Sequence, residues 1–182
     1  MSHWLDRGAA GWRLDAAYAV PSPFWARVLP QVKAAHPYSW IFGEVIHGDY
    51  PRIIEESTMD SITQYELWKS IQHALETENF FELDWNLKRH NAFLDSFVPQ
   101  TFIGNHDVTR IASQIGPAKA ALALAVLMTV GGVPSIYYGD EQGYVASSRS
   151  VSAAMTTYVR SSPAPLPNCP RWESRHTGCI RR

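Results

Sequence analysis

Two kinds of hydrophobic pattern alternate along the first 144 residues of the chain. In the first kind, apolar side chains recur every three or four positions, as on the buried face of a helix. In the second kind, short runs of consecutive apolar residues have the length of a buried strand. Because strands that alternate with helices form parallel βαβ units, the pattern predicts a parallel α/β fold.

Glycine and proline residues between these segments bound the individual elements. Pro23 suits the first turn of a helix that should end at His36, and Pro30 should kink or split that helix. Pro117 should open an alanine-rich helix that Gly131 ends. The predicted helices are 22–36, 49–56, 65–75, 80–98 (one helix or two) and 117–130, and the predicted strands are 11–15, 40–45, 59–63, one that starts near residue 100, and 133–138.

Three of the predicted strands lead directly into an acidic residue: Asp15, Glu44 and, after His106, Asp107. Alternation along the first strand puts Arg13 and Asp15 on one face, where the arginine would keep the carboxylate ionised. An ordinary ion pair at a strand end would give the same pattern. In a parallel α/β barrel, however, functional side chains lie at the carboxyl ends of the strands. We therefore expect the three acids to share one site.

Composition and charge exclude several classes of function. A net charge of -1 gives no indication of a nucleic-acid partner. The first residues lack the apolar core of a secretion signal, and the longest apolar stretch, 118–130, is interrupted by Lys119 and is typical of a buried helix rather than a membrane span. These features favour a cytoplasmic protein without a membrane partner.

Residues 145–182 differ from the rest of the chain. They contain six arginines, no lysine and one acid, Glu173, with no clear apolar period. Cys169 and Cys179 have neither the spacing of a zinc site nor that of a disulfide scaffold. We predict two regions: 1–144, a folded domain, and 145–182, an irregular or disordered tail or a frame-shifted extension.

Four motifs in the first region resemble a known family, the α-amylase superfamily of retaining glycoside hydrolases and transglycosidases. Residues 11–15 (Gly-Trp-Arg-Leu-Asp) resemble the family's fourth-strand motif, 43–45 (Gly-Glu-Val) its fifth, 102–107 (Phe-Ile-Gly-Asn-His-Asp) its seventh, and 132–141 its eighth strand and following loop. The resemblance implies a partial (β/α)8 TIM barrel that comprises roughly strands 4 to 8 with their helices.

The resemblance also implies roles for the candidate residues. Asp15 would be the nucleophile, Glu44 the general acid/base and Asp107 the transition-state stabiliser, while Arg13 orients Asp15 and His106 binds sugar hydroxyls. This agrees with the chemistry of a retaining glycosidase, which needs an ionised and a protonated carboxyl about 5–5.5 Å apart. The implied substrate is an oligosaccharide or α-glucan with α-glucosidic bonds, and no cofactor is implied.

The chain departs from the family pattern at several points. Tyr18 and Ala19 replace a lysine and a histidine found in many members, which argues against typical endo-acting amylase specificity and makes Tyr18 a candidate substrate-binding residue. Trp12, Tyr65 and Trp68 could stack on sugars or belong to the core. The family's third-strand motif, which often helps to hold calcium, is absent, so we predict no metal site.

Length leaves two functional hypotheses open. A complete barrel of this type takes about 250 residues, so the chain would expose barrel edges through which it could self-associate. The first hypothesis is a glycoside hydrolase or transglycosidase domain whose activity is impaired by truncation. The alternative is a non-catalytic fragment or pseudoenzyme that at most binds sugar or assembles with a partner. A different barrel hydrolase with two acids would leave His106 and Asp107 without a role.

Overall fold

Five short parallel strands form the centre of the fold. The computed structural model describes residues 1–146. Strands β1, β2 and β3 form one sheet in that order, and β4 and β5 form a second. A parallel bridge between Thr63 and Gln100 joins β3 to β4, so all five strands lie side by side in chain order without closing a barrel within the described residues. The strands are β1 Gly11–Leu14, β2 Trp40–Gly43, β3 Ser61–Ile62, β4 Gln100–Phe102 and β5 Val133–Ser135.

Helices follow each of the first four strands, as the hydrophobic pattern predicted. One helix follows β1, one follows β2, two follow β3 and one follows β4. The strands are shorter than predicted, and region 80–98 contains one helix. The helices are α1 Ser2–Leu5, α2 Ser22–Ala35, α3 Tyr50–Ser57, α4 Tyr65–Thr77, α5 Phe81–Phe93 and α6 Ile111–Thr129.

Two predictions about proline were wrong in part. Pro30 does not split α2, which runs through it, because Leu29 and Val32 beside it are buried in the core and this packing offsets the missing backbone hydrogen bond. Helix α6 begins at Ile111 rather than at Pro117. Gly116, at a φ of 80°, breaks α6 just before Pro117, so the predicted start is the start of the helix's second part.

Two hydrophobic clusters stabilise the described residues. The first packs β1 and β2 against α2 and α3, with Leu29, Ile41 and Tyr50 fully or almost fully buried. The second packs α4 against α6 through residues such as Ile71 and Ala123. Together they hold the amino ends of the helices near the carboxyl ends of the strands, where the acidic residues lie.

Helix α6 is the one described helix that is long and apolar enough to cross a membrane by length and composition. The helix is longer than the apolar stretch 118–130 because it begins at Ile111. Ala120, Ala123 and Leu127 pack in the second cluster, whereas Leu122 and Met128 are exposed. A single apolar helix with one face in the core is weak evidence for a membrane span, because core helices share this composition.

Candidate active site

Arg13 brings the three predicted acids together. Its Nη1 lies 2.6 Å from Asp15 Oδ1, and its Nη2 lies 2.9 Å from Glu44 Oε1 and 4.0 Å from Asp107 Oδ2. The acids come from the end of β1, the end of β2 and the loop after β4. The structure thus places all three acids around one guanidinium, while their joint role in one catalytic site stays a prediction.

The pairing of β1 with β2 sets the position of Asp15 and Glu44. Leu14 pairs with Gly43, and the Glu44 N–H donates to the Leu14 carbonyl at 2.9 Å, so both acids leave the sheet at the same level. Ala16 turns the chain after Asp15 in the left-handed conformation, and its N–H donates to Glu44 Oε2 at 2.9 Å. The turn after β1 thus also orients the carboxylate after β2.

Gly43 allows close packing beneath Glu44. A Cβ atom at this position would lie 2.5 Å from Met59 Sδ and 2.9 Å from Ala17 Cβ, both closer than van der Waals contact. The glycine before the acid is therefore a packing requirement of this site.

Both carboxylate oxygens of Glu44 accept hydrogen bonds, and Glu44 is 8% exposed. Tyr65, the first residue of α4, donates its hydroxyl to Oε1 at 3.0 Å and accepts a bond from Asn105 Nδ2 at 2.7 Å. Burial, together with the nearby charge of Glu44, raises the pKa of Tyr65, so it stays a neutral donor. Asn105 Oδ1 also accepts from the Asp107 N–H at 2.9 Å, which connects the loop after β4 to Glu44.

Sequence reasoning missed these roles of Tyr65 and Asn105. It treated Tyr65 as a stacking or core side chain and Asn105 only as part of a motif. The one signal in the sequence is position: Tyr65 follows β3, and Asn105 lies two residues before Asp107. A polar side chain just after a parallel strand points to the same rim as the acids.

Arg13 remains charged in this environment. Burial favours its neutral form, but the hydrogen bond to Asp15 and the charges of Glu44 and Asp15 outweigh it and raise the pKa of Arg13. The site therefore holds a permanent cation among three carboxyl groups, with His106 Nε2 a further 3.3 Å from Asp107 Oδ2.

The other candidate side chains lie around this centre. Tyr18 is 55% exposed, and its backbone N–H donates to the Glu44 carbonyl at 3.3 Å. Trp12 packs against the first hydrophobic cluster, and Trp68 stacks on Phe102 with ring centroids 6.1 Å apart. Of these aromatics, Tyr18 is the most exposed, and its backbone lies next to that of Glu44.

A cavity of about 190 Å³ opens next to Arg13. Tyr65, Asn105 and His106 line it together with residues 135–137, which follow β5. Ligand sites commonly measure about 300–1,000 Å³, so this cavity has the size of a part of a larger site. Within residues 1–146 there is no group of three or more His, Cys, Asp or Glu side chains suited to a metal ion.

Comparisons with known proteins agree with this geometry. The family model described as the alpha-amylase catalytic domain matches residues 1–176. Neopullulanase 2 of Thermoactinomyces vulgaris is 32% identical over 152 residues, which cover 80% of this chain and 26% of the relative. A cyclomaltodextrinase of Thermoanaerobacter pseudethanolicus is 34% identical over 145 residues, covering 74% of this chain and 25% of the relative. The chain thus spans about a quarter of the length of these relatives.

The comparison with solved structures also finds a similar protein. The structure of the cyclic alpha-maltosyl-(1-->6)-maltose hydrolase from Arthrobacter globiformis in complex with maltose superposes with a TM-score of 0.70 at 25% identity. The superposition covers 80% of this chain and 35% of that chain. The similarity therefore extends over most of the residues described here.

Proposed function

The chain belongs to the alpha-amylase catalytic-domain family of glycoside hydrolases, and from this premise we propose that it carries the catalytic acids for retaining cleavage or transfer of α-glucosidic bonds in oligo- or polysaccharides. The observation that carries the proposal is the convergence of Asp15, Glu44 and Asp107 on the Arg13 guanidinium. Relatives named neopullulanase and cyclomaltodextrinase support α-glucans as the substrate class.

We assign the nucleophile to Asp15 and the general acid/base to Glu44. In the first step, an Asp15 oxygen forms a bond to the anomeric carbon while a proton on Glu44 passes to the glycosidic oxygen, whose bond to that carbon breaks. In the second step, Glu44 takes a proton from water or from an acceptor sugar, whose oxygen displaces Asp15. Bonding of both carboxylates to one guanidinium supports a retaining mechanism, which requires closely spaced acids.

Asp107 and His106 would act on the sugar ring itself. The transition state carries positive charge, which a third carboxylate such as Asp107 stabilises. His106 lies beside Asp107, lines the cavity and can bind sugar hydroxyls. Tyr18 is our candidate for an aromatic contact with the substrate, because its side chain is exposed and its backbone N–H donates to the Glu44 carbonyl.

We further propose that β1 to β5 correspond to the fourth to eighth strands of a (β/α)8 barrel. Parallel pairing in chain order and the position of the acids after β1, β2 and β4 support this assignment.

Sugar binding without turnover is the alternative. The small cavity beside Arg13 supports it, because its volume of about 190 Å³ is below the range of about 300–1,000 Å³ that is common for ligand sites. Such a protein would bind sugar weakly or act with a partner.

The experiment compares the whole chain with Asp15→Asn, using hydrolysis of an aryl α-glucoside and calorimetric titration with maltose. Asp84→Asn is the control, because Asp84 is an exposed acid on α5 that pairs with Lys88. Turnover that Asp15→Asn abolishes and Asp84→Asn preserves supports the proposed roles. Turnover that survives in Asp15→Asn overturns them, and heat of maltose binding without turnover favours the alternative.

A further inference from the structure

A buried ion pair lies outside the group of residues to which the resemblance assigns roles. Arg110 Nη1 lies 2.7 Å from Asp140 Oδ1, and the two side chains are 2% and 1% exposed. The same nitrogen donates to the Tyr138 carbonyl at 2.5 Å, and the guanidinium lies 4.1 Å from the centre of the Tyr137 ring. Burial of an ion pair costs desolvation free energy. Here the hydrogen bond to the Tyr138 carbonyl and the contact with the Tyr137 ring help to offset that cost.

The ion pair connects two loops at the carboxyl ends of the strands. Arg110 is three residues after Asp107 and immediately precedes α6, whereas Asp140 follows β5. The Arg110 N–H also donates to the Ala146 carbonyl at 3.2 Å. The loop that carries Asp107 is thus tied at its far end to the segment after β5.

Asp140 also contacts the near end of the same loop. A Cβ atom on Gly104 would lie 2.7 Å from Asp140 Oδ2, so only a glycine lets the carboxylate approach the backbone this closely. Gly104 directly precedes Asn105. The Asp140 carboxylate is thus bonded to the far end of the loop 104–110 through Arg110 and packs beside its near end at Gly104, where Oδ2 makes no hydrogen bond within the described residues.

Asp107 depends on its own loop more than Glu44 depends on the residues beside it in the sequence. Its contact with Arg13 is the longest of the three, at 4.0 Å, and its other described contacts, to Asn105 and His106, lie within the loop itself. By contrast, Glu44 is held by Tyr65 and Ala16, which belong to other elements.

We propose that Arg110 and Asp140 are positioning residues that set where Asp107 stands relative to Arg13. The catalytic consequence of this inference rests on the proposed function. The structural part, which is the clamping of loop 104–110, is independent of the proposed function. A displacement of about 1 Å of a group that acts in the transition state can cost roughly a hundredfold in rate.

The test uses Arg110→Met in the whole chain, which removes the charge and keeps a long side chain. The matched control is Arg89→Met, because Arg89 also forms an ion pair, at 2.9 Å with Glu66, away from loop 104–110. Hydrogen–deuterium exchange should become roughly tenfold faster at 104–110 in Arg110→Met, while exchange at β1 and β2 stays unchanged. Arg89→Met should leave exchange at 104–110 unchanged.

A second variant keeps the test decisive if Arg110→Met fails to fold. Gly104→Ala keeps both charged side chains but pushes a methyl group against the Asp140 carboxylate, so exchange should again rise at 104–110. For activity, we expect Arg110→Met to lower kcat by about tenfold to a hundredfold with little change in KM, and Arg110→Lys to restore part of kcat.

The outcomes separate the inference from the proposed function. Unchanged exchange at 104–110, or exchange that rises equally throughout the chain, overturns the clamping role. Faster exchange with an unchanged kcat overturns the catalytic consequence. A wild-type chain that lacks turnover contradicts the proposed function. The exchange experiment would still test whether Arg110 and Asp140 hold loop 104–110 in place.

Discussion

Tyr65 donates its hydroxyl to Glu44 Oε1 at 3.0 Å, although the two residues are 21 positions apart in the sequence. The bond forms because Glu44 follows β2, Tyr65 follows β3, and the two strands are parallel neighbours. Asn105, after β4, bonds to the same hydroxyl. The ends of three adjacent strands are thereby joined through one phenol group.

Replacement of Tyr65 by phenylalanine should lower turnover without unfolding the chain. The change removes one donor to a buried carboxylate, so kcat should fall by about tenfold or more, and the free energy of unfolding by about 0.5–1.5 kcal/mol. Enzyme kinetics and denaturant unfolding measure the two effects. Tyr50→Phe is the control: Tyr50 is also buried, but its hydroxyl donates to the Ile46 carbonyl, at 3.0 Å, rather than to an acid. Equal turnover in both variants would contradict a special role for Tyr65.

Replacement of Arg13 by methionine should abolish turnover and destabilise the fold at neutral pH. Three carboxyl groups would then face one another without their shared cation. Because Arg13, Asp15 and Asp107 are partly exposed, the loss should stay below the roughly 3–5 kcal/mol that breaking a fully buried pair costs. Chemical denaturation at neutral pH measures this loss. Arg52→Met, which removes an exposed pair with Glu56, should have little effect.

His90 should make stability depend on pH. Burial lowers the pKa of His90, although the bond from its ring to the Gly131 carbonyl opposes this. As the pH falls, His90 therefore binds a proton in the unfolded chain at a higher pH than in the folded chain. The contribution of neutral His90 to the free energy of unfolding is fully present above about pH 6.5 and is lost as the pH falls through the folded pKa. Each pH unit in that window costs up to about 1.4 kcal/mol.

Unfolding free energies at pH 7.5 and 5.5 for His90→Asn and His73→Asn test this prediction. His73 is exposed and pairs with Glu82. The difference between the two pH values should shrink in His90→Asn and persist in His73→Asn; a difference that persists in both would contradict the assignment to His90.

We expect the chain to self-associate through the β5 side of the strand array. Strand β5 pairs with β4 on one side, and Val133, Ile136 and, on α6, Leu122 and Met128 are exposed. Unpaired strand edges and exposed apolar residues favour association. Light scattering should show an average mass that rises with protein concentration, and Ile136→Lys should make this rise smaller. Tyr38→Lys, at an exposed aromatic residue before β2, should not; a monomer at all concentrations would refute the expectation.

Local sequence patterns determined the alternation of strands and helices and the places where the acids occur. Apolar spacing depends on the period of each element, so α4 and β1 could be predicted without knowledge of their neighbours. The convergence of Asp15, Glu44 and Asp107 could be predicted because parallel strands share one rim. Their catalytic roles, and that of Tyr18, remain predictions from the resemblance.

Tertiary packing alone decided the contacts between distant residues. The bond from Asn105 to Tyr65 spans 40 positions and the pair of Arg110 with Asp140 spans 30, and no periodic pattern links such residues. The course of α2 through Pro30 also depended on packing, because burial of Leu29 and Val32 offset a local penalty. The sequence by itself determined which side chains reach the rim, since that follows from strand period and order. Only the tertiary structure decided which of them touch, because this depends on strand register and on the path of each loop.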